Sequence, residues 1–244
     1  MNNRDLTPPY GRYLVHLIRP FPNFDAFFIK SLRQKAVQLL RLKPGDRVLD
    51  VGCGPGGSFP YLVGAVGSSG EVIGVEISPD IAINARRRIE KNRWRNVRVI
   101  EADATTVKLE GKFDALLSFA AADIYASPQA LDNLLPYLKD DARVVAFGAK
   151  LTRRASGGLL NPTLRALWKL SFASTPKVNY EPWAPLRERL DHLQTGEYFF
   201  GCMFLAWGAS PVVSQILGHT PESRQINDSG GADCVSRVPE HDCD

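Results

Sequence analysis

Arg47-Val48-Leu49-Asp50-Val51-Gly52-Cys53-Gly54-Pro55-Gly56-Gly57 begins as an apolar run and ends in four glycines and a proline. Val48 to Val51 is short and rich in β-branched residues, which predicts a buried strand. Glycine adopts positive φ, and its missing Cβ lets another molecule come close to the backbone. A glycine turn between strand and helix is how open α/β sheets hold nucleotide-like ligands beyond the carboxyl ends of their strands. Gly52, Gly54 and Gly57 also fit Gly-x-Gly-x-x-Gly, a pattern that by itself does not separate a dinucleotide site from its relatives.

Asp50 narrows the choice. It stands two residues before the first glycine, at the tip of the predicted strand. A carboxylate there repels a pyrophosphate, but it accepts hydrogen bonds and pairs with cations such as an ammonium. An apolar strand, an acid and then Gly-x-Gly-x-Gly resembles the first motif of the class I S-adenosylmethionine (SAM)-dependent methyltransferases. The resemblance implies that Asp50, Gly52, Cys53, Gly54 and Gly56 hold the methionine part of SAM.

Two more acids follow in register. Glu71 to Ile77 reads as a second strand, and Glu76 at its tip lies 24 residues after Gly52. A carboxylate at that distance accepts from both ribose hydroxyls. Asn96 to Ala104 reads as a third strand with its exit. The resemblance implies that Asp103 accepts from the adenine amino group and that the Ala104 amide reads a ring nitrogen. Ile77 and Ser118 complete the implied cofactor-binding set. Parallel strands put their carboxyl ends on one edge, so Asp50, Glu76 and Asp103 would line one cleft.

The rest of the chain fits an α/β, doubly wound, mostly parallel seven-stranded sheet with an antiparallel last strand. A helix is expected from Asn23 to Leu40, and others over Phe59–Val66, Asp80–Asn92, Gln129–Leu138 and Leu186–Leu193. Further strands are expected over Lys112–Phe119 and Ala142–Gly148. Tyr198-Phe199-Phe200 and Cys202 to Trp207 read either as an antiparallel hairpin through Gly201 or as one bent strand. The expected organisation is one methyltransferase domain over 1–211: an N-terminal helical lid over 10–42, a SAM-binding core over 45–150, a substrate-recognising insertion over 150–193, and final strands over 194–211. Residues 212–244 are expected to be a disordered acidic tail, with two arginines against six acids.

Direct displacement needs neither a metal nor a covalent nucleophile, only an acceptor held in line with the methyl group, with a general base for hydroxyl or acidic carbon acceptors. Asp123 and Tyr125, just past the fourth strand, are the catalytic candidates. His16 and His192 are the flanking ones. The exit of that strand reads Ser118-Phe119-Ala120-Ala121. Nucleic-acid amino methyltransferases carry Asn/Asp-Pro-Pro-Tyr/Phe there, so the departure argues against base methylation.

At 244 residues the length suits one domain with a good core. No apolar run reaches the roughly 20 residues of a membrane span. Cys53, Cys202, Cys234 and Cys243 show no metal spacing, and they read as reduced thiols of a cytoplasmic protein. Acids are absent from Ala142 to Tyr180, where seven lysines and arginines lie. That stretch suits an acidic or lipid-like small-molecule acceptor, or peripheral contact with an anionic membrane. Nucleic acid is not expected as a partner. Two rival readings share the fold: an NAD(P)-dependent oxidoreductase, which Asp50 disfavours, and a non-catalytic SAM-binding subunit. Aromatics between Tyr10 and Phe28 would serve as the latter's interface, and a homodimer would suit either an enzyme or such a subunit.

Overall fold

A computed structural model describes residues 27–153 and 181–211, with 158, 161 and 162 between them. The expectations for 10–22, His16, Asn23, Cys234, Cys243 and the tail lie outside the described residues.

In chain order the elements are α1 (Phe27–Leu39), β1 (Arg47–Val51), α2 (Phe59–Val66), β2 (Glu71–Glu76), α3 (Pro79–Asn92), β3 (Val97–Glu101), β4 (Phe113–Phe119), α4 (Ala122–Tyr125), α5 (Pro128–Leu134), β5 (Leu138–Ala149), α6 (Ala184–Arg187), β6 (Asp191–Tyr198) and β7 (Met203–Ala209). They form one seven-stranded sheet of order β3-β2-β1-β4-β5-β7-β6. Strands β1 to β5 pair in parallel, and β7 runs antiparallel between β5 and β6. This is the doubly wound class I methyltransferase fold with its reversed strand.

Alternation along the strands builds the layers. Val48 faces a core under α1, α2 and α3 that contains Leu32, Phe59 and Leu62. Leu49 and Val51 face the opposite core, with Leu131, Leu134, Trp183 and Phe204. Strands buried on both faces read as continuous apolar runs, and β1, β2 and β4 do so. The strand order reverses between β1 and β4, which opens a crevice at their carboxyl ends.

Three boundaries differ from expectation. The helix expected over Leu186–Leu193 is one turn, Ala184–Arg187, and Asp191 already pairs with Ala209 on β7. The apolar strand β7 needs an outer partner, and pairing overrides the helical propensity of the segment. β5 starts at Leu138 rather than Ala142, because Leu138 pairs with Phe113 ahead of an irregularity that carries Asp141 at φ 60°. Accordingly α5 stops at Leu134 and a single 3-10 turn, Leu135–Tyr137, follows it. The hairpin alternative holds for the last two strands, with Phe199 to Cys202 as its turn.

Candidate active site

The glycine loop is held from below. Gly52 and Cys53 both donate to the carbonyl of Val75, at 2.8 and 3.1 Å, and Gly56 donates to the carbonyl of Cys53. Gly52, Gly54 and Gly56 take φ of 68°, 57° and 78°, the region that L side chains avoid. A Cβ on Gly52 would meet the Ala121 Cβ at 2.4 Å, whereas one on Gly54 would point into open space. The three turning glycines are therefore those of Gly-x-Gly-x-Gly. Gly57 plays a different part: the Arg33 guanidinium lies over it, 3.1 Å from where a Cβ would be.

Asp50 sits under this loop and is 1% exposed. Among the described residues no group hydrogen-bonds either of its carboxylate oxygens. Burial pushes its pKa up to about 7, the Arg33 charge works against that rise, and Glu76 adds to it. A buried carboxylate without hydrogen-bond partners is costly in an apolar protein. It is what a site for a bound cation looks like.

Glu76 stands at the end of β2. Its Oε2 accepts from the Gly54 amide at 3.0 Å and its Oε1 from the Ser78 amide at 2.9 Å. Burial raises its pKa, those two amides oppose the rise, and the Asp123 charge adds to it. Asp103 lies just beyond β3, in a turn where its Oδ1 accepts from the Thr105 amide and hydroxyl, each at 2.8 Å. Beside it Ala104 is buried. Ile77 is 51% exposed, an uncovered apolar side chain next to Glu76.

Asp123 is exposed at the start of α4. Desolvation by its surroundings raises its pKa, a backbone hydrogen bond opposes this, and the Asp103 charge adds to it. The electrostatic links Asp50–Glu76, Glu76–Asp123 and Asp123–Asp103 bring four carboxylates to one cleft. Among the described residues no cluster of His, Cys, Asp and Glu has the arrangement of a metal site. The negative charge of the cleft suits a cationic ligand.

Four candidates lie away from the rim of the cleft. Tyr125 is 1% exposed, its ring edge-on to Phe204 at 5.4 Å and its hydroxyl against Gly148. Burial raises its pKa further above the ordinary tyrosine value. It packs in the core, where it is poorly suited to act as a base. His192 lies on β6 between Asp191, paired to Ala209, and Gln194, and hence near the amino edge of the sheet, away from the cleft. Ser118 and Cys53 are buried, with Ser118 Oγ donating at 3.5 Å to the Ala121 carbonyl. Both shape the floor rather than its rim.

Arg33 was not among the sequence candidates. Its Nη1 donates to Ser58 Oγ at 2.8 Å, and its guanidinium carbon is 4.0 Å from the Phe119 ring centroid. One signal was present: a lone arginine beside the otherwise apolar stripe Ile29, Leu32, Ala36, Val37, Leu40. A cation set into a buried face has a partner to meet.

Fold and site together define a Rossmann-like α/β protein whose glycine loop caps a buried acid. Residues 42–153 match the family model described as a methyltransferase domain. The demethylmenaquinone methyltransferase of Bacillus cereus (strain AH187) is 26% identical over 122 residues, 50% of this chain and 49% of that protein. The chain thus spans about half the length of the curated relatives it matches. A SAM-dependent methyltransferase from Aquifex aeolicus has a similar crystal structure, with TM-score 0.56 at 20% identity over 77% of this chain and 100% of that one. The N-methyltransferase NodS from Bradyrhizobium japonicum WM9 has a TM-score of 0.56 at 15% identity, over 78% and 100%. Residues 42–153 thus resemble a methyltransferase domain, and the sheet has the class I order and reversed strand.

Proposed function

We propose that this chain transfers the methyl group of S-adenosyl-L-methionine to a small-molecule acceptor by in-line displacement, leaving S-adenosyl-L-homocysteine. The observation that carries the reading is the buried Asp50 carboxylate, without a hydrogen-bond partner among the described residues, under a loop of positive-φ glycines. Bound there, SAM supplies an electrophilic methyl on a sulfonium, so the protein has only to bind, orient and exclude water.

Asp50 would pair with the ligand's ammonium. Arg33, at the other side of the loop, carries the charge that suits its carboxylate. Gly54 leaves the space that a side chain would fill. Glu76 keeps lone pairs for the ribose hydroxyls while two backbone amides hold it in place. Ile77 offers an apolar surface to the adenine, and Asp103 with the Ala104 amide would read its edge. Asp123 faces the same cleft past β4, and its raised pKa suits a base that takes a proton from the acceptor.

For the acceptor, the Ser118-Phe119-Ala120-Ala121 exit supports a molecule other than a nucleic-acid base, and the demethylmenaquinone methyltransferase relative supports a small one. The buried thiols of Cys53 and Cys202 are free, which suits a reducing cytoplasm. The test is calorimetric titration with SAM, S-adenosylhomocysteine and NAD. Micromolar binding of the first two, at least tenfold weaker in Glu76→Gln, is expected. Binding of NAD alone would overturn the reading. An acceptor screen on Asp123→Asn should then show turnover lost with SAM affinity kept.

A further inference from the structure

The turn between β6 and β7 holds two adjacent phenylalanines in an uncommon backbone state. Phe199 and Phe200 take φ of 50° and 56°, ahead of Gly201 at 81°. A left-handed conformation costs an ordinary residue roughly 1–2 kcal/mol, and a bulky residue rarely adopts it. The turn is nonetheless well tied. Gly201 donates to the Tyr198 carbonyl at 3.1 Å, Cys202 to that of Phe199 at 3.0 Å, and the Thr152 hydroxyl to that of Phe200 at 2.9 Å. So fixed, it presents its aromatic rings outward. Phe200 is 71% exposed and Phe199 41%, two of the four large exposed hydrophobics among the described residues.

The flanks are basic. On one side Lys35 of α1 has its Nζ 5.1 Å from the Tyr198 ring centroid. α1 itself carries Lys30 as well and no acid. On the other side Arg153, exposed, follows the Thr152 that holds the turn, within the acid-free stretch Ala142–Tyr180. The nearby acid, Glu197, is paired with the buried Lys150 at 2.7 Å. Aromatic rings at the tip of a stiff hairpin between cationic flanks match an interface of apolar chains beneath anionic headgroups.

We propose that the β6–β7 tip is a docking element for an anionic lipid bilayer, with Phe199 and Phe200 entering the interface and Lys35 and Arg153 meeting headgroups. Because β7 starts beside the end of β5, with Met203 opposite Ala149, the tip lies on the same sheet edge as the cleft. Docking therefore turns the cleft's edge to the bilayer. The consequence that the acceptor is a membrane-held molecule rests on the methyltransferase reading; the docking itself does not.

The full chain is sedimented at low salt with vesicles of phosphatidylcholine alone and with vesicles containing phosphatidylglycerol. Binding to the anionic vesicles is expected, reversed by salt and weakened roughly tenfold or more in the Phe199→Ser/Phe200→Ser double variant. Lys35→Gln should weaken it by a few fold, since each basic residue near the surface is worth about 1 kcal/mol. Circular dichroism and thermal melting of each variant check that it is folded, separately from docking and from SAM binding. Phe200→Trp adds a second readout: the emission it adds to that of the natural chain should move to the blue only when anionic vesicles are added. No sedimentation at low salt would overturn the proposal, and so would binding that ignores the double variant. An added emission from Phe200→Trp that is already blue without vesicles and unchanged by them would also overturn it. It would mean that the tip is covered by another segment of this chain or by a second copy, which light scattering separates.

Discussion

Asp50 couples the site to pH in two opposite ways. An acid with a raised folded pKa costs nothing while both states are protonated. Between its ordinary 3.8 and about 7, the unfolded chain releases the proton and the folded chain keeps it. Stability therefore falls with rising pH across that window and levels off above it, by an amount on the order of 4 kcal/mol at most for a group this buried. Asp50→Asn should remove the slope, so urea midpoints of the variant and the natural chain should diverge in the variant's favour from pH 5 to pH 8. Ligand binding runs the other way. An ammonium selects the ionised carboxylate, so SAM affinity should rise by up to tenfold per pH unit and flatten above about 7. In the Asn variant affinity should be low and nearly independent of pH. The loop glycines make a matched pair at the same scale. Gly54→Ala has open space and a left-handed φ, so it should cost about 1 kcal/mol of stability while removing cofactor affinity. Gly52→Ala meets Ala121 at 2.4 Å as well and should lose several degrees of melting temperature.

The glycine loop is carried by α2 and β2 as much as by its own residues. Phe59, fully buried at the start of α2, lies so close that a Cβ on Gly56 would be 2.5 Å from its ring and one on Gly74 of β2 2.9 Å. Phe59→Ala should cost about 3–5 kcal/mol by cavity formation, and it should loosen the loop that the ring supports. Gly148 and Tyr125 form a second close pair, since a Cβ at 148 would sit 1.9 Å from the phenol oxygen. Tyr125→Phe should therefore keep SAM binding and most turnover, and a loss of turnover alone would restore it as a catalytic residue. These packings mark where sequence reading stops. The strands β1 to β4 were legible as short, largely apolar runs, the first running into the glycine turn, and the three acids because each sits at or beside a strand end. Glu76 followed from its spacing and the family resemblance together, and Asp103 from the resemblance. The burial of Tyr125 needed the contact between α4 and β7, which no local pattern encodes. Arg33 showed in the sequence only as a cation on an apolar stripe, and its partners are set by the contact between α1 and the loop. β6 was misread because its alternating polar residues acquire meaning only beside β7.

At the scale of the whole molecule, cofactor choice becomes a stability measurement. A ligand that binds only the folded chain adds RT ln(1 + [L]/Kd), about 2.7 kcal/mol at a hundredfold excess over Kd. For a chain of 244 residues, each kcal/mol moves the melting midpoint by roughly 2–4 °C. Saturating SAM should therefore raise it by roughly 5–10 °C. S-adenosylhomocysteine should do nearly as well, because on the proposed reading the acids at β1, β2 and β3 address the ammonium, ribose and adenine that both molecules share. NAD should do nothing, since its pyrophosphate would face the Asp50 carboxylate where the glycine loop turns. The ordering also separates the two charges of the ligand. If the cleft's carboxylates act on the sulfonium as well as the ammonium, SAM should outperform its neutral-sulfur product by a margin that shrinks at high salt. Equal shifts for both would mean that the cleft recognises the amino acid and nucleoside alone. The sulfonium would then be left to the acceptor, and charge around the methyl group would play no part in holding the reactive state.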